Sequence, residues 1–184
     1  MRVIAGRLGG RKIAAPRGSA TRPTSDRVRE ALFSMLGSLS GLRVVDLFAG
    51  SGALGIEALS RGASSAVFVE SSRAALAALR TNLQELELVG VATVVGSPVE
   101  RSSAALERLG PFELALCDPP WARLASVAGW LEQSAPAWLM SGARLVLEHD
   151  KHDAPELASL ALRARRSWGD SAVSIFDFDS AESP

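Results

Sequence analysis

The hydrophobic and polar positions change their spacing near residue 42, and the part before it predicts a hairpin and a helix. Two short alternating runs, at residues 2–6 and 10–16, flank a tight glycine-containing turn and predict a β-hairpin. A helix is predicted next, with Thr24 or Ser25 as its N-cap. Its apolar positions recur at helical spacing and form one stripe: Val28, Ala31, Leu32, Met35 and Leu36.

After residue 42, apolar runs that predict strands alternate with segments that have helical periodicity. Strands are predicted at 42–48, 65–70, 91–96, 112–117 and 143–149. Helices are predicted at 52–61, 73–88, 99–109, 124–136 and 154–162. Two alternating runs at 162–168 and 172–179 are predicted to pair antiparallel at the end of the chain. Repeated strand–helix units predict an α/β fold, with a mostly parallel sheet covered by helices on both faces.

The composition fits a globular protein with one sizeable core. The chain has 184 residues, of which 47% are hydrophobic and 22% charged, and no apolar run is long enough to predict a transmembrane helix. We divide it into an N-terminal extension, residues 1–40, and an α/β unit, residues 41–184. Cys117 is the only cysteine, so we expect a buried thiol, no internal disulfide and a cytoplasmic location.

The net charge of zero conceals a strong asymmetry along the chain. Residues 1–30 carry eight basic and two acidic groups, so their net charge is +6 and that of the remainder is −6. Only Lys12 and Lys151 are lysines among the twenty basic residues. Because the planar guanidinium of arginine suits phosphate groups, the N-terminal region is a candidate surface for an anionic partner. A solvated basic face is the simpler interpretation.

The segment after the first predicted buried strand has the pattern of a cofactor loop. Gly50, Gly52 and Gly55 are spaced as G-x-G-x-x-G at the start of a predicted helix. Such a turn lets a ligand approach the backbone, and it occurs in both dinucleotide and S-adenosylmethionine sites. Glu70, at the end of the second strand, is placed to hold ribose hydroxyls in either case.

Asp46 favours S-adenosylmethionine over a dinucleotide. It lies four residues before Gly50, so its carboxylate is expected to point into the same pocket. A pyrophosphate there would put two like charges close together at low dielectric, whereas a sulfonium and an ammonium would be attracted. Asp46 could instead be a structural turn residue.

The sequence DPPW follows the fourth strand and has the pattern of a site for a planar amine. Two prolines take the chain out of the sheet at residues 119 and 120. The Asp118 side chain and the Pro119 carbonyl can then accept the two hydrogens of an exocyclic amine, while Trp121 stacks on its ring. Holding these hydrogens would localise the nitrogen lone pair towards an electrophilic methyl group, and the remaining catalysis is proximity and orientation.

These motifs resemble those of the bacterial 16S ribosomal RNA guanine-N2 methyltransferases, over nearly the whole chain. RPTSDRVREALF, at residues 22–33, is similar to the most specific element of that family. The resemblance implies a Rossmann-like class I S-adenosylmethionine-dependent methyltransferase sheet of seven strands with a reversed C-terminal hairpin. It places Asp118, Pro119, Pro120 and Trp121 at the target-base site. The candidate cofactor residues are Asp46, Phe48, Gly50, Ser51, Gly52, Glu70, Ser71, Ser97 and Thr24.

Two positions differ from the pattern of that family. Trp121 stands where tyrosine or phenylalanine is usual, and its bulk is expected to shift the base. Ser97 stands where an acidic residue commonly accepts a hydrogen bond from the adenine amine. A hydroxyl can accept the same bond, but without the added strength of a charge.

The resemblance also gives the basic N-terminal region a function. The candidate RNA-binding residues, expected on the cofactor side of the sheet, are Arg7, Arg11, Lys12, Arg22, Arg27 and Arg29. A patch of six net charges predicts weak, salt-sensitive binding to naked RNA, so a partly assembled 30S subunit is the expected substrate. We expect a monomer. Arg22 and Thr24 could instead close over the cofactor.

Three other functions remain open at this point. The same chemistry could act on an adenine N6 or an amide, the glycine motif alone fits a nicotinamide-dependent reductase, and a non-catalytic RNA-binding module would not need Asp118. The segment EHDKHD, which contains His149 and His152, is expected to form a polar loop and not a metal site.

Overall fold

A computed structural model describes residues 1–15 and 26–179. It confirms the N-terminal hairpin, although its two arms pair over a shorter length than predicted. Arg2 and Lys12 form an isolated antiparallel bridge. The Val3 N–H donates to the Arg11 carbonyl at 3.0 Å. The predicted positions Arg22, Thr24 and Ser25 lie outside the described residues.

Five α-helices occur in the described part of the chain. They are α1 (Asp26–Leu36), α2 (Ala53–Ser60), α3 (Arg73–Glu85), α4 (Ser103–Leu109) and α5 (Leu124–Ser134). Short 3₁₀ turns precede α4 and α5 and follow α5. The helix predicted at 99–109 therefore began too early and that predicted at 124–136 ended too late, whereas the predicted start of α5 is confirmed. None of the helices formed by the described residues is long and apolar enough to span a bilayer.

The strands form one seven-stranded sheet with the order β3-β2-β1-β4-β5-β7-β6. They are β1 (Arg43–Leu47), β2 (Ser65–Val69), β3 (Ala92–Val95), β4 (Phe112–Cys117), β5 (Leu139–Asp150), β6 (Ala161–Trp168) and β7 (Ser171–Phe178). Neighbours are parallel from β3 to β5, whereas β7 is antiparallel to both β5 and β6. The predicted α/β fold with a reversed C-terminal hairpin is therefore confirmed.

The predicted helix at 154–162 does not form. Residues 154–160 are irregular, and the last two predicted positions belong to β6. Leu157 and Leu160 are nevertheless buried against the sheet, and the Ser159 N–H donates to the Glu132 carboxylate. The apolar spacing that predicted a helix therefore serves to pack an irregular segment against the sheet.

His149 lies in a strand, as the prediction for 143–149 has it, and not in the polar loop expected of EHDKHD. It lies within β5, is fully buried and has its two ring nitrogens near the Asp150 carbonyl and the Ser174 hydroxyl. Burial, the largest cause, lowers the pKa of His149. The polar loop begins only after Asp150, because pairing with β7 extends β5 to that residue.

Each face of the sheet carries one hydrophobic cluster, and the N-terminal extension contributes to the first. Val3, Leu8 and Ile13 belong to the same buried cluster as Val44 and Leu59. The other face is covered by a second cluster, in which Cys117 is buried as predicted. The division near residue 40 is thus a change of sequence pattern between segments that share one core.

Two polar side chains of α2 hold the hairpin against the sheet. The Glu57 carboxylate accepts hydrogen bonds from the Ile4 N–H at 2.7 Å and the Ala5 N–H at 3.1 Å. The Ser60 hydroxyl accepts from the Leu8 N–H at 3.0 Å. Since Glu57 and Ser60 are buried, these bonds give the hairpin a fixed position on α2.

Candidate active site

The loop between β1 and α2 has an unusual backbone. Gly50 and Gly52 have φ angles of 57° and 88°, and Phe48 adopts φ 61° although it has a side chain. A Cβ on Gly52 would lie 2.5 Å from a Leu79 methyl group, and the φ of 88° is a conformation that favours glycine in any case. A Cβ on Gly50 would meet nothing within 4 Å, so this side of the loop is open to a ligand.

Asp46 links the end of β1 to the start of α2. Its side chain is buried, and its Oδ2 accepts a hydrogen bond from the Gly55 N–H at 2.8 Å. Burial raises the pKa of Asp46 to about 7, against the effect of the Gly55 bond and with further contributions from Asp118 and Glu70. Asp46 therefore holds the start of α2 by a hydrogen bond, and it lies close to two other carboxylates.

Glu70 connects the ends of β1 and β2. Its Oε2 accepts from the Gly50 N–H at 2.8 Å, and its Oε1 accepts from the N–H groups of Ser71 and Ser72 at 2.7 Å each. Three backbone donors thus fix the carboxylate beside the glycine loop. A carboxylate held in this way is pre-organised to accept hydrogen bonds from a ligand.

The predicted serines lie around the same edge of the sheet. Ser51 is buried in the loop, Ser71 is exposed after β2, and Ser97 follows β3 with its hydroxyl 3.3 Å from the Pro98 carbonyl. Thr24 lies outside the described residues. The structure brings the three described serines to the carboxyl edge, where ligands of parallel sheets bind.

Asn82 supports this loop and was missed by the sequence analysis. Its Nδ2 donates to the Ser51 carbonyl at 2.9 Å and to the Ala14 carbonyl at 3.0 Å, while its Oδ1 accepts from the Ala14 N–H at 2.8 Å. Asn82 is buried on α3. The only signal in the sequence was a single amide on the apolar side of a predicted helix. A buried amide needs several hydrogen-bond partners, so this position could have indicated contacts to the backbone of another segment.

The Asp-Pro-Pro-Trp turn leaves β4 directly beside the glycine loop. The Asp118 N–H is 3.5 Å from the Leu47 carbonyl, and Asp118 is close enough to raise the pKa of Asp46. Pro119 is buried and Pro120 is exposed. Trp121 opens a 3₁₀ turn with 44% of its surface exposed, which is unusual for an indole without a partner.

Trp121 borders an open depression of about 480 Å³, which is otherwise lined by Ala122, Asp150, His152 and Asp153. The His152 N–H donates to Asp150 Oδ1 at 2.8 Å, so one of the two carboxylates is held in place. Among the described residues, the lining contains two acids and no arginine or lysine. Its chemistry suits a ligand that presents N–H donors together with a flat ring.

Arg7 and Arg11, two predicted RNA-binding residues, lie at the edge of the sheet opposite the one that carries the candidate active site. The Arg7 N–H donates to the carbonyl of Ser60, the last residue of α2. The Arg11 guanidinium donates to the carbonyl of Glu85, the last residue of α3. Both helices start at the carboxyl edge, so these contacts are at the opposite edge. The expected placement on the cofactor side is therefore wrong, and the Arg11 guanidinium instead complements a helix C-terminus.

The prediction for Arg29 is also wrong, because its side chain is fully buried. Its Nη2 donates to the Arg2 carbonyl at 2.6 Å and to Asp26 at 2.8 Å. Burial, opposed by Asp26 and Glu57, lowers the pKa of Arg29. Phe33 and Leu36 follow at helical spacing and could have indicated a buried position. Lys12 and Arg27 are exposed, and Arg22 lies outside the described residues.

The described residues fit S-adenosylmethionine better than a dinucleotide. Asp46, Glu70 and Asp118 put three carboxylates at the carboxyl edge of adjacent strands, which favours a cationic ligand and disfavours a pyrophosphate. The open side of Gly50 leaves room beside the pre-organised Glu70. Over residues 1–15 and 26–179, no group of three His, Cys, Asp or Glu side chains could hold a metal ion.

The raised pKa of Asp46 predicts a pH dependence of cofactor binding. If the ionised carboxylate attracts the cationic cofactor, affinity should fall up to tenfold per pH unit below about pH 7. Calorimetry with S-adenosylmethionine over the range from about pH 5.5 to about pH 8.5 would measure this, and Asp46→Asn should remove the dependence. An unchanged slope in Asp46→Asn would contradict the assignment.

Protonation of Asp46 should have the opposite effect on the stability of the fold. The pKa of Asp46 in the folded protein lies above the ordinary value of 3.8, so the folded protein holds the proton more tightly than the unfolded chain does. The stability from this proton is complete below pH 3.8 and is lost as the pH rises to about 7.

The strand order and the two strand-end motifs define a class I methyltransferase fold. The comparison with solved structures agrees: "Putative methyltransferase yhhF from Escherichia coli" superposes with a TM-score of 0.81 and 34% identity, over 98% of this chain and 99% of that one. The described residues of this chain therefore share one architecture with that protein.

A family model described as "Conserved hypothetical protein 95" matches residues 1–177, and the chain belongs to this family. "Putative rRNA methyltransferase YlbH" of Bacillus subtilis strain 168 is 37% identical over 182 residues, 96% of this chain and 98% of that protein. "Ribosomal RNA small subunit methyltransferase D" of Escherichia coli K12 is 39% identical over 153 residues, 82% of this chain and 75% of that protein.

Proposed function

We propose that the protein is an rRNA methyltransferase that transfers a methyl group from S-adenosylmethionine to the N2 of one guanine in 16S rRNA. One observation carries the proposal: the Asp118 turn lies against the Leu47 end of the glycine loop. A donor held by the loop and an amine held by the turn would then be neighbours. The relatives named as rRNA methyltransferases support this substrate class, which also implies a cytoplasmic protein.

The carboxyl-edge residues have distinct tasks in the proposed site. Asp46 supplies a negative charge beneath the glycine loop, Glu70 accepts ribose hydroxyls, and Phe48 packs beside the bound cofactor. Ser97 would accept from the adenine amine. When bound, S-adenosylmethionine supplies an electrophilic methyl group on a sulfonium.

The catalytic turn would hold the acceptor. Asp118 and the Pro119 carbonyl accept the two hydrogens of the amine, which prevents its lone pair from delocalising into the ring. Trp121 stacks on the base after it leaves the RNA stack. Prolines 119 and 120 restrict the backbone of the turn, so the amine is held in line and proximity provides most of the rate enhancement.

The depression beside Trp121 supports guanine as the base. The Watson–Crick edge of guanine presents two adjacent donors, N1–H and N2–H₂, whereas adenine presents an acceptor beside its amine. Asp150 and Asp153 are acceptors in this lining. If one of these carboxylates accepts a hydrogen bond from N1–H while Asp118 accepts one from the N2 amine, the site would select guanine over adenine.

Contacts to the RNA backbone would come mainly from exposed arginines at the carboxyl edge. Arg73 begins α3 and Arg101 lies in the turn after β3; both are exposed. Neither was predicted from the sequence. Arg27 is exposed in the first turn of α1. Arg7, Arg11 and Lys12 would reach RNA only if a larger particle extends around the protein, as a partly assembled 30S subunit would.

The proposal is tested by transfer of a labelled methyl group to 30S subunits from a strain that lacks the corresponding methyltransferase gene. We expect one N2-methylguanosine per subunit after nuclease digestion and mass spectrometry, and much less on protein-free 16S rRNA. Label in adenosine, in protein, or nowhere would contradict it. Sedimentation of the active enzyme would test the expected monomer.

A further inference from the structure

Arg123 has contacts to three strand-end segments of the candidate site. It ends the 3₁₀ turn that begins at Trp121, and its N–H donates to the Pro120 carbonyl at 2.8 Å. Its carbonyl accepts from the Ser126 hydroxyl at 2.9 Å, at the start of α5. The backbone of Arg123 therefore belongs to the catalytic turn and is anchored at both sides.

Its side chain reaches across to the other two segments. The guanidinium carbon lies 5.1 Å from the centre of the Phe48 ring, in the glycine loop after β1. A guanidinium nitrogen, Nη2, also pairs with Glu100 Oε1, in the turn after β3. One side chain thus connects the cofactor loop, the β3 turn and the catalytic turn.

Phe48 is the residue whose conformation most needs such support. It has φ 61°, a left-handed conformation that residues with side chains adopt only when their surroundings impose it. The guanidinium covers the face of its ring, an arrangement that arginine favours. Removing Arg123 would therefore release both the ring of Phe48 and the backbone that carries it.

Glu100 makes a second function of Arg123, as a ligand of RNA phosphate, less favourable. Burial alone would raise the pKa of Glu100. A backbone hydrogen bond and the Arg123 guanidinium outweigh this effect, so the pKa of Glu100 is lowered. The carboxylate is therefore ionised at neutral pH and neutralises the guanidinium. A guanidinium whose charge is offset by a neighbouring carboxylate attracts a phosphate less strongly.

We propose that Arg123 is a positioning residue: it sets the distance between the cofactor loop and the catalytic turn, and hence between the methyl group and the amine. The proposal rests on the proposed function. It predicts that loss of Arg123 slows the chemical step more than it weakens either ligand, because small displacements of reacting groups lower rates strongly.

The test compares Arg123→Ala, Arg123→Lys and Glu100→Gln with Arg108→Ala, an exposed arginine of α4 as the matched control. Arg123→Ala should lower kcat by about 30-fold, with KM for 30S subunits and Kd for S-adenosylmethionine changed by less than about threefold. Arg123→Lys keeps the ion pair but not the planar stack, so it should recover only part of kcat. The double variant with Glu100→Gln should be no slower than Arg123→Ala.

Three outcomes would overturn the proposal. A raised KM with a weaker salt dependence and unchanged kcat would make Arg123 an RNA ligand. Full activity of Arg123→Lys would show that charge alone is needed. Hydrogen exchange gives a readout that does not need methyl transfer: the amides of residues 47–52, Asp118 and Trp121 should exchange faster in Arg123→Ala than in Arg108→Ala. Unchanged exchange would reject the positioning function, whereas an inactive wild-type enzyme would reject the proposed function alone.

Discussion

Replacing Asp118 by alanine is expected to lower kcat by about 10²–10³-fold, with the Kd for S-adenosylmethionine changed by less than about threefold. The carboxylate is proposed to accept a hydrogen of the target amine, an interaction that strengthens as the nitrogen develops positive charge. The cofactor is proposed to bind across β1 and β2, so its affinity should depend little on Asp118. Methyl transfer to 30S subunits under single-turnover conditions, together with calorimetry, would measure the two effects separately.

Asp118→Asn provides the conservative comparison. An amide oxygen still accepts the hydrogen bond but without the negative charge, so its kcat should lie between those of the wild type and Asp118→Ala. Asp179→Ala, an exposed carboxylate after β7, controls for loss of charge. Full activity of Asp118→Ala would contradict the catalytic function and favour a non-catalytic RNA-binding module. Because Asp118 also raises the pKa of Asp46, its removal should lower the pKa of that neighbour.

The sheet could be predicted from the sequence because its central strands are buried on both faces. The segment 112–117 was predicted and observed with the same ends, since Pro111 and Asp118 bound a run that is apolar except for Glu113. The two strand-end motifs could also be placed, because carboxyl ends of parallel strands share one edge. Local pattern was less reliable at 154–160, where buried leucines pack without regular hydrogen bonds.

The placement of charged groups could not be predicted in the same way. A count of arginines shows that residues 1–30 are basic, but not that Arg7 lies at the far end of α2 or that Arg29 is buried. Both positions depend on the direction in which the N-terminal hairpin crosses the helices. Arg123 was missed for the same reason: its partners Phe48 and Glu100 are distant in sequence and meet only when the sheet forms.

Glu57 was also missed, although its sequence context contains a signal. It is the only charged residue in α2, and seven of the eight residues of this helix are buried. A carboxylate in such a helix must find buried partners, because an unpaired charge in the core is very unfavourable. Its partners are the N–H groups of Ile4 and Ala5 and the Arg61 side chain, whose Nε donates at 2.6 Å.

Glu57→Ala is therefore expected to lower the free energy of unfolding by about 3–5 kcal/mol, measured by urea denaturation. The substitution leaves two backbone donors without their acceptor and Arg61 without its partner, and it creates a cavity beneath the hairpin. Glu57→Gln should cost less, because one amide oxygen still accepts while the amide nitrogen faces a second donor. Glu107→Ala, an exposed glutamate on α4, should change stability by less than about 0.5 kcal/mol.

Hydrogen exchange would separate a local effect of Glu57→Ala from a global one. If Glu57 anchors the hairpin, the amides of Ile4 and Ala5 should lose protection before those of β4, because their acceptor is gone while the sheet keeps its ladder. Residues 48–52 should follow, since Asn82 joins Ala14 to the glycine loop through Ser51. Retained protection at Ile4 and Ala5, with stability close to that of Glu107→Ala, would mean that the hairpin is held by its apolar contacts alone, and the buried carboxylate would then need another explanation.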